Sequence, residues 1–224
     1  MYDRKLVRSF LSSLALAVLI VFPGAFSYSQ TNQPAAPAPA STASYDEMVK
    51  KVEGGDLSVN FAELRMKYAA SPQYEPEEGS DEMKDMYGKL NAKDFKGALA
   101  TANRVLAKQY VNINAHIVAS AAYDGLHDDA AAKLHHDIVV GLVTSILDSG
   151  AGTSVDTAYK VISIQEEYAV MRVLGLRPGT QSYLQNAKKS YDKMEMVNVR
   201  DNSTVTRYFD VTLSDQNMEK SLRH

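Results

Sequence analysis

The sequence predicts an α+β protein, mainly helical, in which paired helices are followed by a small C-terminal antiparallel sheet. Four helical segments follow one another between residues 81 and 148, and small residues within them align at a spacing of 34, from Ala98 to Ala132. After residue 158 the pattern changes to short β-branched and alternating segments, which are typical of strands. Helices and strands that are segregated along a chain in this way favour an α+β arrangement.

Two short helices come first, and each follows a capping residue. Ser44 precedes a helix predicted over 45–52, and Asn60 precedes one over 61–69. Serine and asparagine side chains accept hydrogen bonds from the free amides of a first helical turn, which makes them good N-caps. The apolar side of the second helix is predicted to consist of Phe61, Leu64 and Tyr68, with Met66 as a further candidate.

The central region is predicted to contain helices over 81–90, 95–108, 111–125 and 128–148. When Ala98 is aligned with Ala132, the residues Ser120, Tyr123 and Ala132 fall on a small, an aromatic and a small site. In that order they resemble the repeat unit of tetratricopeptide helix pairs. The first unit fits these sites poorly, and a plain helical bundle with coincidental spacing stays open as the alternative.

The last third mixes strands with one helix. Strands are predicted over Ala158–Ile164, Ser190–Val199 and Thr204–Leu213. A helix is predicted over Gln165–Leu174 and ends at Gly175. The last two strands are joined by a turn at 200–203 and form an antiparallel sheet, which a third strand completes. Residues 214–224 are predicted to be a flexible tail.

The first 29 residues have the layout of a secretory signal peptide. Basic residues precede an apolar run from Phe10 to Phe22, and small residues follow it. The run of about 13 residues is shorter than the roughly 20 that span a bilayer, so a retained anchor is the alternative and no membrane span is expected after cleavage. Residues 30–44 read as a Pro/Ala/Ser linker and 45–213 as a single domain. An exported protein, periplasmic or extracellular, is therefore predicted.

Composition narrows the function classes. The chain has no cysteine, which excludes disulfides, thiol catalysis, thiolate metal sites and a lipoprotein anchor. Removal of the leader takes the formal net charge from −3 to about −5. Nucleic acid is not expected as a partner, because phosphate binding requires a basic surface. Neither a cofactor nor a metal is predicted.

Several segments are similar to one known family. Val59–Pro76, Thr157–Leu176 and the stretch from Ser190 to Val211 resemble an uncharacterised family of secreted bacterial proteins that is known as a domain of unknown function. The resemblance covers nearly all of the chain from Tyr45 to Leu213. It implies one domain that mixes helices with a C-terminal sheet, and it implies no activity, substrate or catalytic residue.

Six residues are the candidate binding residues, and no catalytic residue is assigned. They are Tyr123, Glu166, Glu167, Tyr168, Tyr191 and Asp192. Adjacent glutamates on a helix point about 100° apart, so either one would need an aspartate from elsewhere in the fold to form a carboxylate pair. The alternative interpretation is structural: one glutamate accepts hydrogen bonds from loop amides and fixes the sheet to the helices.

Histidines form a second group of candidates. The cluster 127–129 with 135–137 contains three histidines and three aspartates, but it lacks a zinc-protease pattern. It reads as a helix N-terminus with histidines on or near the surface, where Asp128 and Asp129 complement the helix dipole. His116 reads as a packed residue of the core or its rim.

The function predicted from these features is a non-enzymatic binding module for a peptide, a protein or an envelope component. Paired helices form concave grooves, so this hypothesis expects an open groove lined by tyrosines and polar residues. The alternative is an exported hydrolase with a carboxylate site between helices and sheet, which expects an enclosed pocket where a glutamate and an aspartate converge. A purely structural envelope protein is the third hypothesis.

Overall fold

Eight α-helices and four β-strands lie in the part of the chain that the computed structural model describes, residues 42–75, 80–186 and 188–221. The α+β class predicted from the sequence is confirmed. The predicted signal peptide and most of the predicted linker, residues 1–41, lie outside the described residues.

Capping residues begin the first two helices as predicted. In α1 (Tyr45–Glu53) the Ser44 hydroxyl accepts from the Glu47 amide, and the Glu47 carboxylate accepts from the Ser44 amide. In α2 (Phe61–Ala69) the Asn60 side chain accepts from the Glu63 amide at 3.1 Å. These bonds satisfy amides that have no partner inside the helix. Helix α1 packs on α2, and α2 packs on α6.

The buried face of α2 differs from the predicted one at two neighbouring positions. Phe61, Leu64 and Tyr68 are buried as expected, but Met66 is 36% exposed and Arg65 is only 1% exposed. Positions 61, 64, 65 and 68 follow the i, i+3, i+4, i+7 spacing of one helix face. A guanidinium group therefore lies where the helix meets the core.

Four helices form the central region. They are α3 (Ser80–Asn91), α4 (Phe95–Leu106), α5 (Ile113–Gly125) and α6 (Asp129–Leu147). Each packs on the next, and α3 also packs on α5. Ala98, Ala115 and Ala122 are fully buried in the cluster between them, and the Ser120 hydroxyl donates to the Ala132 carbonyl at 2.9 Å. The small residues thus lie where helices approach closely. The tetratricopeptide resemblance stays a prediction.

Helix α6 is the one helix in the described part of the chain that is long and apolar enough to cross a membrane, by length and composition alone. Here it packs on α2, α5 and α7, and Leu142 and Ile146 are fully buried. Apolar composition of this kind also suits a central helix of a globular core.

Strands and two further helices make up the C-terminal part. They are β1 (Tyr159–Lys160), α7 (Ile164–Val173), β2 (Leu176–Asn186), β3 (Lys189–Asn198), β4 (Thr204–Asp210) and α8 (Thr212–Ser221), after a 3-10 turn at Val155–Thr157. The sheet order is β1-β4-β3-β2. Strand β1 pairs with β4 in parallel, whereas the other pairs are antiparallel. The sheet is therefore mixed rather than purely antiparallel as predicted.

The prediction fails at two strands. The strand expected over Ala158–Ile164 is reduced to two residues, because the Ile162 amide donates to the Glu166 carboxylate instead of to a neighbouring strand. Strand β2 was not predicted. Its start contains Pro178 and Gly179, which interrupt the strand pattern, and the pairing with β3 is irregular between Pro178 and Gln181.

A helix occupies the place of the predicted tail. In α8, Ser214 and Asp215 are each only 4% exposed. The Tyr183 hydroxyl of β2 donates to the Asp215 carboxylate at 2.7 Å. Helix α8 also packs on β3, so contacts with the sheet hold it in place.

Candidate functional site

A small pocket lies where three segments of the chain meet. The first is the end of α2 with the loop after it, the second connects α4 to α5, and the third runs from β1 into α7. The lining residues are Tyr68, Tyr74, Glu75, Gln109, Val111, Asn112, Ile113, Ile162, Ser163, Gln165 and Glu166. Of the six candidate residues, Glu166 alone is in this lining.

Glu166 is held by a buried arginine. Arg65 Nε donates to Glu166 Oε1 at 2.8 Å, and Arg65 Nη2 donates to Glu166 Oε2 at 2.5 Å. The Ile162 amide donates to the same Oε2 at 2.9 Å. The two side chains are 1% and 4% exposed. Two parallel bonds of this kind are strong and fix the relative orientation of both groups.

Arg65 also reaches two further elements. Its Nη2 donates to the Lys160 carbonyl of β1 at 2.9 Å, and Nη1 donates to the Ser145 hydroxyl of α6 at 3.3 Å. One guanidinium group on α2 therefore contacts α6, β1 and α7. Glu166 accepts from a loop amide, as the structural interpretation expects, and its bonds to Arg65 join the start of α7 to the helices. The contact with the sheet that this interpretation also expects is made by Arg65, at the Lys160 carbonyl.

Local sequence places Glu166 in the first turn of α7. The Ser163 hydroxyl caps the helix by accepting from the Glu166 amide at 3.4 Å. A carboxylate in the first turn is favoured by the helix dipole, and here it turns back toward the Ile162 amide. The cap and the ion pair thus fix the same turn of the chain.

Tyrosines and amides hold the rim of the pocket. The Tyr74 hydroxyl donates to the Ile162 carbonyl at 2.5 Å and so ties the loop after α2 to the start of α7. The Glu75 amide donates to the Tyr68 hydroxyl at 3.2 Å, and Gln109 Nε2 donates to the Glu75 carbonyl at 3.1 Å. Burial raises the pKa of Tyr74 far above its ordinary value, so its hydroxyl stays a neutral donor.

Gln165 presents an amide group to the pocket. It is 9% exposed, and its Oε1 accepts from Asn114 Nδ2 at 3.4 Å. Asn114 is itself oriented by the Tyr87 hydroxyl and by Arg172, which both donate to its Oδ1. Gln165 Nε2 has no hydrogen-bond partner among the described residues, so it can donate to a ligand.

The groove expected along the helix pairs is filled by the chain itself. Every residue of α5 from Ile113 to Ala119 is buried, and α7 packs on α5 through the bonds of Asn114 to Gln165 and Arg172. The expectation of an open, tyrosine-lined groove is wrong at this helix. What stays accessible is the pocket at the N-terminal ends of α5 and α7.

The other candidate residues lie outside the pocket lining. Glu167 and Asp192 are 1% and 0% exposed, and neither lines the pocket. Tyr168 is half-buried on α7. Tyr191, also buried, neighbours Asp192 on β3, and consecutive strand residues point to opposite faces. The enclosed glutamate–aspartate pocket that the hydrolase hypothesis expects is therefore not formed by Glu166.

Tyr123 belongs to a second cluster, at the contact of α5 with α6. Its ring stacks on His135, with centroids 5.5 Å apart. His135 Nδ1 lies 2.8 Å from Nδ1 of the fully buried His116, and His116 Nε2 lies 2.7 Å from the Tyr110 carbonyl. His116 is a core residue as predicted. His135 is half-buried, in keeping with the expectation that these histidines lie on or near the surface. Asp128 caps α6, at the helix N-terminus that the sequence predicts.

Burial favours the neutral form of both histidines in this pair. The pKa of His116 is lowered to about 3, chiefly by burial and further by the charge of His135 when that ring is protonated. Burial also lowers the pKa of His135. Among the described residues no group of three or more His, Asp and Glu side chains is arranged to hold a metal ion.

Sequence reasoning missed Arg65 and Gln165. The signal for Arg65 was present, since a charged residue at position 65 falls on the apolar face of α2 and therefore requires a buried partner. Nothing in the local pattern around Gln165 distinguishes it from other polar residues at the start of a helix.

Comparison with known proteins places the chain in a family. Residues 38–220 match the model of a family described as a domain of unknown function (DUF4919). The chain belongs to this family. The match extends from the last residues before α1 to the end of α8, so the pocket and the histidine pair both lie within the family domain. No curated protein and no solved structure matches the chain.

Removal of the Arg65 guanidinium should destabilise the fold strongly. Arg65→Met leaves a buried carboxylate without its cation, and we expect a loss of about 3–5 kcal/mol in the free energy of unfolding, measured by urea titration. The double variant Arg65→Met/Glu166→Leu should lose less, because the buried charge is then gone. As a control, Arg104→Met removes a guanidinium that is 64% exposed and should change stability by less than about 0.5 kcal/mol. A cost of Arg65→Met as small as that of Arg104→Met would contradict this account.

Stability should fall on acidification because of His116. Its folded pKa of about 3 lies below the unfolded value of about 6.5, so the unfolded state binds more protons. The stabilisation is complete above pH 6.5 and decreases as the pH falls toward 3. His116 alone accounts for about 2 kcal/mol between pH 7 and 5. His116→Gln should remove most of this difference in urea unfolding, whereas His136→Gln, on the partly exposed side of α6, should leave it unchanged. Equal pH dependence in all three proteins would refute the assignment.

Proposed function

We propose that this chain is an exported, non-enzymatic binding protein that holds a short peptide segment at the pocket between α2, α5 and α7. The proposal rests on the hydrogen bonds that the Glu166 carboxylate already accepts. Both carboxylate oxygens accept bonds from Arg65, and one also accepts from Ile162. A general base has to lie within hydrogen-bond reach of its substrate, and the Glu166 side chain is only 4% exposed with both oxygens bonded to Arg65, so the pocket offers surfaces and hydrogen bonds rather than acid–base chemistry.

The lining suits one side chain of a peptide. Val111, Ile113 and Ile162, together with the tyrosine rings, supply apolar surface to the pocket, while Gln165 Nε2 offers a donor to a peptide carbonyl. Apolar walls with a few placed polar groups are typical of ligand sites.

The charges at the pocket and on the whole chain indicate which peptides fit best. The charged residues in the lining are Glu75 and Glu166; Glu166 is neutralised by Arg65, and Glu75 is exposed at the rim. The whole chain carries a formal net charge of −3. An apolar residue followed by a basic residue is therefore the peptide chemistry that fits, with the basic side chain near Glu75.

Two peptides that differ at one residue test the preference for a basic side chain. Blocked hexapeptides Gly-Ala-Leu-Lys-Ala-Gly and Gly-Ala-Leu-Glu-Ala-Gly differ only in the charged residue that follows leucine, and their affinities are measured by isothermal titration calorimetry at low salt. We expect the lysine peptide to bind about threefold more tightly, the size of effect that one exposed ion pair gives. Glu75→Gln should abolish the preference.

The matched control is Glu195→Gln, which removes an exposed carboxylate on β3 and leaves the pocket intact. It should retain the wild-type preference for the lysine peptide. Absence of binding by either peptide at millimolar concentration, or equal affinities for both in the wild-type protein, would rule out the proposed ligand.

Export is supported by the basic, apolar and small-residue order of the first 29 residues. Val18→Arg places a charge inside the apolar run and should retain the precursor in the cell. Ala36→Arg, in the Pro/Ala/Ser linker, should be exported normally. Mass spectrometry of the exported protein should give an N-terminus at Tyr28 or Gln30. An uncleaved, cell-associated wild-type protein is the result that would count against export.

A further inference from the structure

The His116–His135 pair has a defined proton arrangement. A carbonyl oxygen can only accept, so His116 Nε2, at 2.7 Å from the Tyr110 carbonyl, carries the proton. Neutral His116 then presents an unprotonated Nδ1. The proton in the 2.8 Å contact between the two Nδ1 atoms must therefore belong to His135. A directed chain of hydrogen bonds results, from His135 to His116 to the Tyr110 carbonyl.

The chain of bonds ends in the wall of the pocket. Tyr110 lies between the lining residues Gln109 and Val111, in the connection from α4 to α5. Its amide donates to the Tyr45 hydroxyl at 3.2 Å, and its ring meets the His116 ring edge-on, with centroids 5.0 Å apart. The peptide units of this wall are thus fixed from α1 on one side and from His116 on the other.

The groups that surround the pair are few. On α5 and α6 the ring of Tyr123 stacks on His135. In the α4–α5 connection Tyr110 faces His116, and behind it on α1 lie the Tyr45 hydroxyl and the Glu53 carboxylate, whose charge acts on Tyr110. Lys133, His136 and Asp137 on α6 contact one another near the surface. Among the described residues no carboxylate forms a hydrogen bond with either imidazole of the pair.

We propose that the His116–His135 pair positions the pocket wall formed by residues 109–113, and that it takes up one proton at His135 Nε2 without releasing that wall. The inference rests on the proposed function in treating these residues as a ligand-binding wall. It makes His116 a positioning residue, since it acts through the Tyr110 carbonyl rather than on a ligand.

The site of the first proton follows from the bonding. His135 Nε2 has no hydrogen-bond partner among the described residues, whereas His116 Nδ1 already accepts a bond. Protonation of His135 Nε2 leaves its Nδ1–H in place, and the bond to His116 becomes charge-assisted and stronger. A second proton would have to enter at His116 Nδ1, where two N–H groups would face each other with no acceptor. The wall therefore keeps its position through the first protonation.

Imidazole nitrogen chemical shifts test the proton arrangement in the ligand-free protein. At pH 7.5 we expect a protonated Nδ1 on His135 and a protonated Nε2 on His116. Between pH 7.5 and 5, His135 Nε2 should begin to take up its proton before His116 Nδ1 does. The opposite tautomers, or first protonation of His116, would overturn the proposal. This measurement needs no variant and does not depend on how well a variant folds.

Hydrogen exchange tests the positioning of the wall. The amides of Tyr110 and Asn112 are hydrogen-bonded in the fold and report on it directly. His135→Phe retains a ring that can stack on Tyr123 but removes the N–H donor, and we expect these two amides to exchange at least tenfold faster at pH 7. His136→Phe, the adjacent histidine on α6, is the matched control and should exchange at the wild-type rate. Equal rates in both variants would overturn the positioning role.

Peptide binding separates this inference from the proposed function. With the lysine peptide at pH 7, His135→Phe should bind at least fivefold more weakly than His136→Phe. Wild-type affinity in His135→Phe, despite faster exchange, would overturn the link between wall and ligand. If the wild-type protein binds no peptide, the proposed ligand fails, and the shifts and the exchange rates still decide whether the histidine pair positions this segment.

Discussion

The ion pair between Arg65 and Glu166 is the constraint on which the rest of the site depends. Removing two charges from water costs several kcal/mol per ion, and a buried pair repays this only with good geometry and further hydrogen bonds. Both conditions are met here, since Arg65 also donates to Lys160 and Ser145, and Glu166 also accepts from Ile162. The pair specifies how α2, α6, β1 and α7 meet, because any other arrangement would leave a charge buried without its partner.

The parts of the fold that the sequence predicts well are those decided by neighbouring residues. Ser44 and Asn60 begin helices because an N-cap acts on an amide three residues away. The end of α7 followed equally from Gly175, which adopts a positive φ of 66° that other residues rarely adopt. Strand β2 is different. Its pattern is polar and interrupted by Pro178, and what makes it a strand is its pairing with β3, which depends on residues outside the segment itself.

In the candidate site, too, the sequence predicts what neighbouring residues decide and misses what depends on distant ones. Glu166 stood out because two glutamates begin a helix, but its partner Arg65 lies 101 residues away. The sequence around either residue does not indicate that the two side chains pair. Asp192 was a reasonable partner by residue type, yet it lies on β3 and outside the pocket lining. The pocket itself is formed by three segments that are distant in sequence. Periodicity identifies the face of each helix that is buried, and it does not identify which side chains meet there.

Stiffness is what these bonds give to the site. Tyr74 and Gln109 hold the loop after α2, and the Arg65–Glu166 pair holds the start of α7. His116 holds the segment 109–113 through the Tyr110 carbonyl. A wall that is already ordered loses little conformational entropy when a ligand arrives, so more of the interaction energy appears as affinity. The same bonds hold both oxygens of the Glu166 carboxylate against Arg65 and the Ile162 amide. For the proposed binding function, the ion pair that orders the pocket is also the one that engages its carboxylate, and this is why the proposal is binding rather than catalysis.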